Sequence, residues 1–221
     1  MDRPASASPA RTALLAGATG LVGRALLQGL LADETVKAVH VLARRPLELR
    51  SAKLSVHVVD FTALPALPPV DEAYLALGTT IKVAGSQPAF RAVDFDANLA
   101  VAKAAHAAGA RRLGLVSAMG ADARSSIFYS RVKGELEQAL DGLGYEGIVV
   151  ARPSMLAGDR AALGQPVRGG ELLALNLSRW LRPLIPRNYS SIQAADVARA
   201  LLREVPAARG RKVMLSGAMQ P

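Results

Sequence analysis

A short apolar run, Thr12-Ala-Leu-Leu-Ala16, passes directly into Gly17-Ala-Thr-Gly20-Leu-Val-Gly23, and apolar residues at helical spacing follow. Few folds accept that order. The run is too short for a helix and reads as a buried strand, while the stretch from about Leu21 to Leu31 reads as a helix. Three glycines at a spacing of three let the chain turn tightly between the two. A glycine turn that leaves a strand and opens a helix gathers backbone N–H groups and the positive end of the helix dipole at one point, where a pyrophosphate can approach the backbone closely. Gly17, Thr19, Gly20, Leu21, Val22 and Gly23 are therefore candidate phosphate-binding residues. The competing reading is a tight turn made for packing alone.

The alternation continues. Val36 to Leu42 predicts a second strand, Leu54 to Val59 a third ending at Asp60, and Ala73 to Leu77 a fourth after a proline-rich loop at Pro65, Pro68 and Pro69. Ala89 to Ala108 predicts a helix, with Phe90, Val93, Ala97, Val101 and Ala104 on one stripe and Gly109 closing it. Leu113 to Val116 and Ile148 to Ala151 are further strands, with a helix carrying Tyr129 between them. Beyond Arg152 the expected elements are an amphipathic helix at Glu171 to Leu181, another at Ala194 to Leu202, and a last strand at Lys212 to Leu215. Strands alternating with helices predict an α/β fold, a parallel sheet covered on both faces. At 221 residues the chain is read as one domain over 11–221 after a disordered segment, 1–10. Residues 153–210 form a small C-terminal region on the substrate side.

Composition removes several classes of function. There is no cysteine, which excludes disulfides, thiolate metal sites and cysteine nucleophiles, and His40, His57 and His106 have no ligand spacing, so no metal is expected. The formal charge of +9 invites a nucleic-acid reading, but its arginines and lysines are spread along the chain with no aromatic interleaving. No nucleic acid is expected. No uncharged apolar stretch reaches the length of a membrane span, so no integral membrane association is expected and a cytoplasmic location is the default. Leu172, Leu173, Leu175, Leu177, Trp180 and Leu181, near Arg179, Arg182 and Arg187, make an alternative interfacial helix.

Two further features carry chemistry. Tyr129 and Lys133, four apart on a helix, lie on one face and reach one substrate. A free tyrosine ionises at roughly pH 10, and a neighbouring cation lowers that value, which tunes an acid/base for carbonyl or alcohol chemistry. A snorkelling lysine beside a half-buried tyrosine, flanking a core stripe of Val132, Leu136, Ala139 and Leu143, is the competing reading. Ser117 ends the fifth strand, where such sheets place their ligand crevice, and its hydroxyl can orient a substrate carbonyl. At the end of the second strand, where an acid would hold a ribose 2′-hydroxyl, the chain has Ala43-Arg44-Arg45. Two guanidiniums suit a 2′-phosphate, which favours NADP(H) over NAD(H). Asp60, with Phe61 after it, is a candidate for the adenine amino group, or else an ordinary strand-end turn residue.

The glycine turn, the strand-end serine, Tyr-x-x-x-Lys and Arg152-Pro153 together resemble the short-chain dehydrogenase/reductase superfamily. Leu77-Gly78-Thr79-Thr80, Ser117-Ala-Met-Gly-Ala121 and Ser125-Ser-Ile-Phe-Tyr129-Ser-Arg-Val-Lys133-Gly-Glu135 look most like its small atypical group typified by the Tat-interacting-protein oxidoreductase, whose bacterial relatives are labelled epimerase/dehydratase-like. The resemblance runs from Thr12 onward and implies a single doubly wound parallel-sheet Rossmann domain. It implies Ser117 as substrate-orienting hydroxyl, Tyr129 as acid/base, and Lys133 as holder of the nicotinamide ribose. It also implies that Leu77, Gly78 and Thr79 line the cofactor and that Pro153, Ser154, Met155 and Leu156 wrap the nicotinamide. Two departures stand out. Asp94 occupies the position where the superfamily often has a proton-relaying asparagine, and Asn98 one turn on is given no such role. The C-terminal region is shorter than in true sugar-nucleotide epimerases. The expected function is NADP-dependent hydride transfer with a small carbonyl or alcohol, in a monomer or homodimer. The alternative is an NADP(H)-sensing regulator acting through protein partners.

Overall fold

The computed structural model describes residues 10–157, 188 and 190–220. In chain order these form β1 (Arg11–Ala16), α1 (Leu21–Ala32), β2 (Val36–Ala43), β3 (Leu54–Val58), β4 (Glu72–Leu75), α2 (Ile81–Ala84) and α3 (Gln87–Arg91). A π-helical segment (Ala92–Ala97) leads into α4 (Asn98–Ala107), followed by β5 (Arg112–Val116), α5 (Phe128–Asp141), β6 (Gly147–Arg152) and β7 (Leu156–Ala157). The rest is β8 (Ile192–Gln193), α6 (Ala194–Glu204), a 3-10 turn (Val205–Ala207), β9 (Gly210–Leu215) and α7 (Ser216–Met219). Seven strands make one sheet in the order β3-β2-β1-β4-β5-β6-β9, and every neighbouring pair is parallel. β7 and β8 form a separate parallel pair that the sequence pattern did not announce.

The sheet is covered on both faces, so its inner strands are apolar throughout rather than alternating. Along β1 successive side chains go to opposite sides: Ala13 and Leu15 join the core that packs under α1 and α6, while Leu14 and Ala16 join the core under α4 and α5. Leu14 stands opposite His40 of β2 on one side and Ala73 of β4 on the other. The order thus reverses at β1, which opens a crevice between the carboxyl ends of β1 and β4, the switch point where such sheets bind ligands.

Three sequence expectations change in detail. β4 stops at Leu75 rather than Leu77: the Ala76 N–H still donates to the Ala16 carbonyl at 2.8 Å, but beyond Ala16 its partner strand turns away at Gly17, φ 94°. The helix expected over Ala89 to Ala108 runs from Gln87 to Ala107 but widens into the π segment at its middle. Asn98 explains how that turn is tolerated. Its Nδ2 donates to the carbonyls of Val93 (3.0 Å), Asp94 (3.3 Å) and Leu77 (3.3 Å), satisfying acceptors that a widened turn releases. At the far end Gly109 adopts φ 104°, and the Gly109 and Ala110 N–H groups bond back to His106 and Ala105, a Schellman closure. The third change concerns α5, whose buried face is Val132, Gly134, Leu136 and Leu140 together with two charged residues, Lys133 and Glu137; of the other residues expected in the stripe, Ala139 is half-buried and Leu143, past the helix end, packs against the same core.

The helix expected at Glu171 to Leu181, with its apolar residues, and Pro183, Pro186, Arg187 and Tyr189 lie outside the described residues, as does the segment 1–9. Of the substrate-side region, 153–157, 188 and 190–210 are described. There Ser154 N–H donates to Ser216 Oγ at 2.9 Å and Ile192 N–H to the Met155 carbonyl at 2.9 Å, which docks the return chain against the end of β6.

Candidate functional site

The glycine turn divides into two jobs. Gly17, at φ 94°, has no room for a Cβ, and a Cβ on Gly23 would stand 1.9 Å from the Gly17 carbonyl oxygen. Those two glycines are demanded by packing. Gly20 is not. Its φ of −76° suits any residue, and the nearest atom to its Cβ position is 3.5 Å away. No side chain caps α1 and no acid occupies its first turn. The N–H groups and dipole at the uncapped start of this helix are therefore left to a ligand beside Gly20, and their chemistry fits a diphosphate.

Across the switch point α5 presents Tyr129, Lys133 and Glu137 as one row, each four residues from the next. Gly134 lets α5 press on the loop before it: a Cβ there would lie 2.1 Å from Ala123 N. Arg131 Nη1 donates to the Ser125 carbonyl at 2.8 Å, pinning the same loop at the start of the helix. The half-buried Tyr129 ring rests beside Phe90, centroids 5.5 Å apart. Lys133 is only 5% exposed, and its ammonium sits 2.7 Å from Asp94 Oδ1, itself on the π segment and 1% exposed. Asp94 Oδ2 accepts the Thr79 N–H at 2.8 Å. A Cβ on Gly78 would come 3.5 Å from Asp94 Oδ1 and 4.0 Å from Lys133 Nζ, so the loop after β4 runs directly past this pair. Burial pulls the Lys133 pKa down, but Asp94, helped by Tyr129 and Glu137, more than reverses it, and the pKa ends above the ordinary lysine value.

Ser117 takes a partner that the sequence did not suggest. Its Oγ donates to Glu137 Oε1 at 2.5 Å, inside a buried cluster. Arg152 grips the same carboxylate with Nε (3.0 Å) and Nη2 (2.7 Å), and Arg211 Nη2 adds a third contact at 2.6 Å. Glu137 raises the already high pKa of Arg152 through that hydrogen bond. The hydroxyl hydrogen of Ser117 thus points into the protein, and its lone pairs are what remain to a ligand.

The other expected residues fall around the same end of the sheet. Arg44 and Arg45 are exposed just past β2. Asp60 is exposed, and its Oδ1 accepts the Thr62 N–H and hydroxyl, each at 2.8 Å, which holds its pKa below the usual carboxylate value. Phe61 packs partly under the α4 side of the sheet, and Leu77 offers its carbonyl to Asn98. Pro153 is buried, Met155 is 39% exposed, and the Pro153 carbonyl accepts the Met119 N–H at 2.9 Å. Sequence reasoning gave no role to Asp94 or to Glu137. Asp94 was findable as a polar residue four before Asn98 in a largely apolar stretch, whereas Glu137 lies in a helix rich in charged residues, where only its four-residue spacing from Lys133 marks it.

A family model described as NAD(P)H-binding matches residues 17–144. Protein fmp52, mitochondrial, of Emericella nidulans is 38% identical over 156 residues, 66% of this chain and 67% of that protein. Protein HTATIP2 of Rattus norvegicus is 33% identical over 202 residues, 88% of this chain and 81% of that protein. Among solved structures, MoeE5 in complex with UDP-glucuronic acid and NAD superposes with a TM-score of 0.69 at 20% identity, covering 93% of this chain and 76% of that one, a likeness of fold. The relatives correct one expectation. Several fungal proteins of this kind are named mitochondrial, so the cytoplasmic default drawn from the lack of a membrane span does not stand. Among the described residues no helix is long and apolar enough to cross a membrane.

Proposed function

Because the chain belongs to the NAD(P)H-binding family, in the atypical short-chain dehydrogenase/reductase group that includes the Tat-interacting protein, we propose that it is an NADP-dependent oxidoreductase. Its substrate in this reading is a small carbonyl or alcohol compound. One observation supports this above the others: the ammonium of Lys133 and the carboxylate of Asp94 meet at Gly78 and Thr79, which joins the Tyr129 helix to the loop that lines a dinucleotide in this family.

Bound dinucleotide supplies or accepts the hydride. The chain does the rest. Gly20 and the uncapped start of α1 receive the diphosphate, and Arg44 and Arg45 pair with a 2′-phosphate. Leu77, Gly78 and Thr79 would line the cofactor, and Pro153, Ser154, Met155 and Leu156 would wrap its nicotinamide. Asp60, with Phe61 after it, would accept from the adenine amino group. Tyr129 gives its phenolic proton to a carbonyl oxygen, or takes one from an alcohol, and Lys133 holds the nicotinamide ribose beside it. Ser117 orients the substrate, but it supports a developing charge only after its hydroxyl turns away from Glu137.

The 2′-phosphate assignment is tested by calorimetric affinities for NADPH and NADH. Wild type is expected to bind NADPH at least tenfold more tightly, a difference of roughly 1.4 kcal/mol, and Arg44→Ala to lose most of that margin. Equal affinities in both proteins would remove NADP from the proposal. A second reading, a cofactor-sensing regulator, is favoured by the engagement of Lys133 with Asp94 and of Ser117 with Glu137, which suits holding a ligand better than rapid turnover. Slow NADPH oxidation across a broad carbonyl panel, together with a co-purifying partner protein, distinguishes it. We also propose, from the names of the fungal relatives, a mitochondrial rather than a cytoplasmic setting.

A further inference from the structure

A lysine beside a nicotinamide ring faces two different ligands, because the oxidised ring carries a positive charge and the reduced ring carries none. In this chain that lysine is not alone. Asp94 lies 2.7 Å from the Lys133 ammonium, both side chains are almost wholly buried, and neither can exchange its partner for water. The second oxygen of Asp94 is held by the Thr79 N–H, so the carboxylate cannot swing away without breaking the loop after β4. Asn98 fixes the π segment that carries Asp94 from behind. The pair is therefore a rigid, neutral unit, and in a poorly solvated setting any net charge left on it by removing one partner would be felt over several ångströms.

We infer that Asp94 biases which redox form of the cofactor the protein holds: by cancelling the charge of Lys133 it removes a repulsion that would otherwise disfavour the oxidised, cationic ring. This rests on the reading that Lys133 stands at the nicotinamide end of the dinucleotide. Asp94 acts here through Lys133 and is a positioning residue. It is an asset to a protein that must bind NADP⁺, either to oxidise an alcohol or to respond to the ratio of the two forms. A carboxamide at residue 94 would still accept the Thr79 N–H and keep the loop in place, but would leave the ammonium uncompensated.

The test is calorimetric and needs no substrate. Dissociation constants for NADP⁺ and NADPH are measured on the full chain as wild type, as Asp94→Asn, and as the double variant D94N/K133M, which is neutral as the native pair is. The ratio of the NADP⁺ to the NADPH constant is expected to rise on the order of tenfold in Asp94→Asn, the factor that about 1.4 kcal/mol produces. It should return to the wild-type value in the double variant. Equal weakening of both forms in Asp94→Asn overturns the inference, since a merely structural role moves both constants together. Should Asp94→Asn not fold, Lys133→Met gives the answer with opposite sign: its carboxylate is left facing the ring, the ratio falls below wild type, and an unmoved ratio overturns the inference. Binding of neither form by wild type overturns the proposed function and this inference with it; binding of both with a ratio unmoved in every variant overturns this inference alone.

Discussion

In the proposed reaction, Ser117 and Tyr129 would start from unequal positions. The Tyr129 ring is half-buried against Phe90, whereas the Ser117 hydroxyl spends its hydrogen on a carboxylate that two arginines hold in place. A group whose hydrogen is already engaged contributes less to stabilising an oxyanion than one free to donate. Phe at residue 129 removes the proton donor entirely, so Tyr129→Phe is expected to lower kcat by about a thousandfold, within the range attributed to one positioned acid/base. Ser117→Ala should cost roughly tenfold or less. Steady-state NADPH oxidation with a reactive aldehyde measures both. Equal, large losses would mean that Ser117 leaves Glu137 during turnover, and an active Tyr129→Phe would end the acid/base assignment.

At the level of elements, the helix from Gln87 to Ala107 is the piece on which the site depends, and its π segment depends on Asn98. That side chain is fully buried and donates to three carbonyls from one nitrogen. Asn98→Ala strands those acceptors in the core, a penalty of about 2 kcal/mol, or about 4–8 °C in the unfolding midpoint for a chain of this size. NADPH affinity should fall in parallel, because Asp94 loses its backing. A thermal melt by circular dichroism with no shift would show that the π turn is held by packing alone. The strands of the seven-stranded sheet, the glycine turn and α5 were legible in the sequence because each rests on local pattern: apolar runs, glycine spacing, a four-residue row. The π turn was not, since Phe90, Val93, Ala97 and Val101 keep an ordinary helical period across it. The burial of Lys133 was equally hidden. A snorkelling lysine and a buried one read alike, and the deciding carboxylate lies on a different helix. Ser117 was legible as a strand-end hydroxyl, but its engagement required Glu137, Arg152 and Arg211 to converge from three elements.

On the scale of the whole molecule, charge is the property least tied to any one contact. The chain carries a formal +9, and both nicotinamide cofactors are anions, so both should bind more weakly as salt rises. That common loss says nothing about where either one sits. The difference between them does. NADPH has a further phosphate, and if exposed Arg44 and Arg45 receive it, its affinity must fall more steeply with ionic strength than that of NADH. Between about 0.05 and 0.5 M salt the Debye length shrinks from roughly 14 to 4 Å, enough to screen a surface pair strongly. The excess slope for NADPH should vanish in an Arg44→Ala, Arg45→Ala double variant while the shared slope persists, since most of the positive charge remains. Parallel slopes in wild type would place the 2′-phosphate elsewhere and leave the two arginines as ordinary surface charge. A shared slope lost along with the excess would instead mean that these two side chains, rather than the field of the whole chain, attract the dinucleotide.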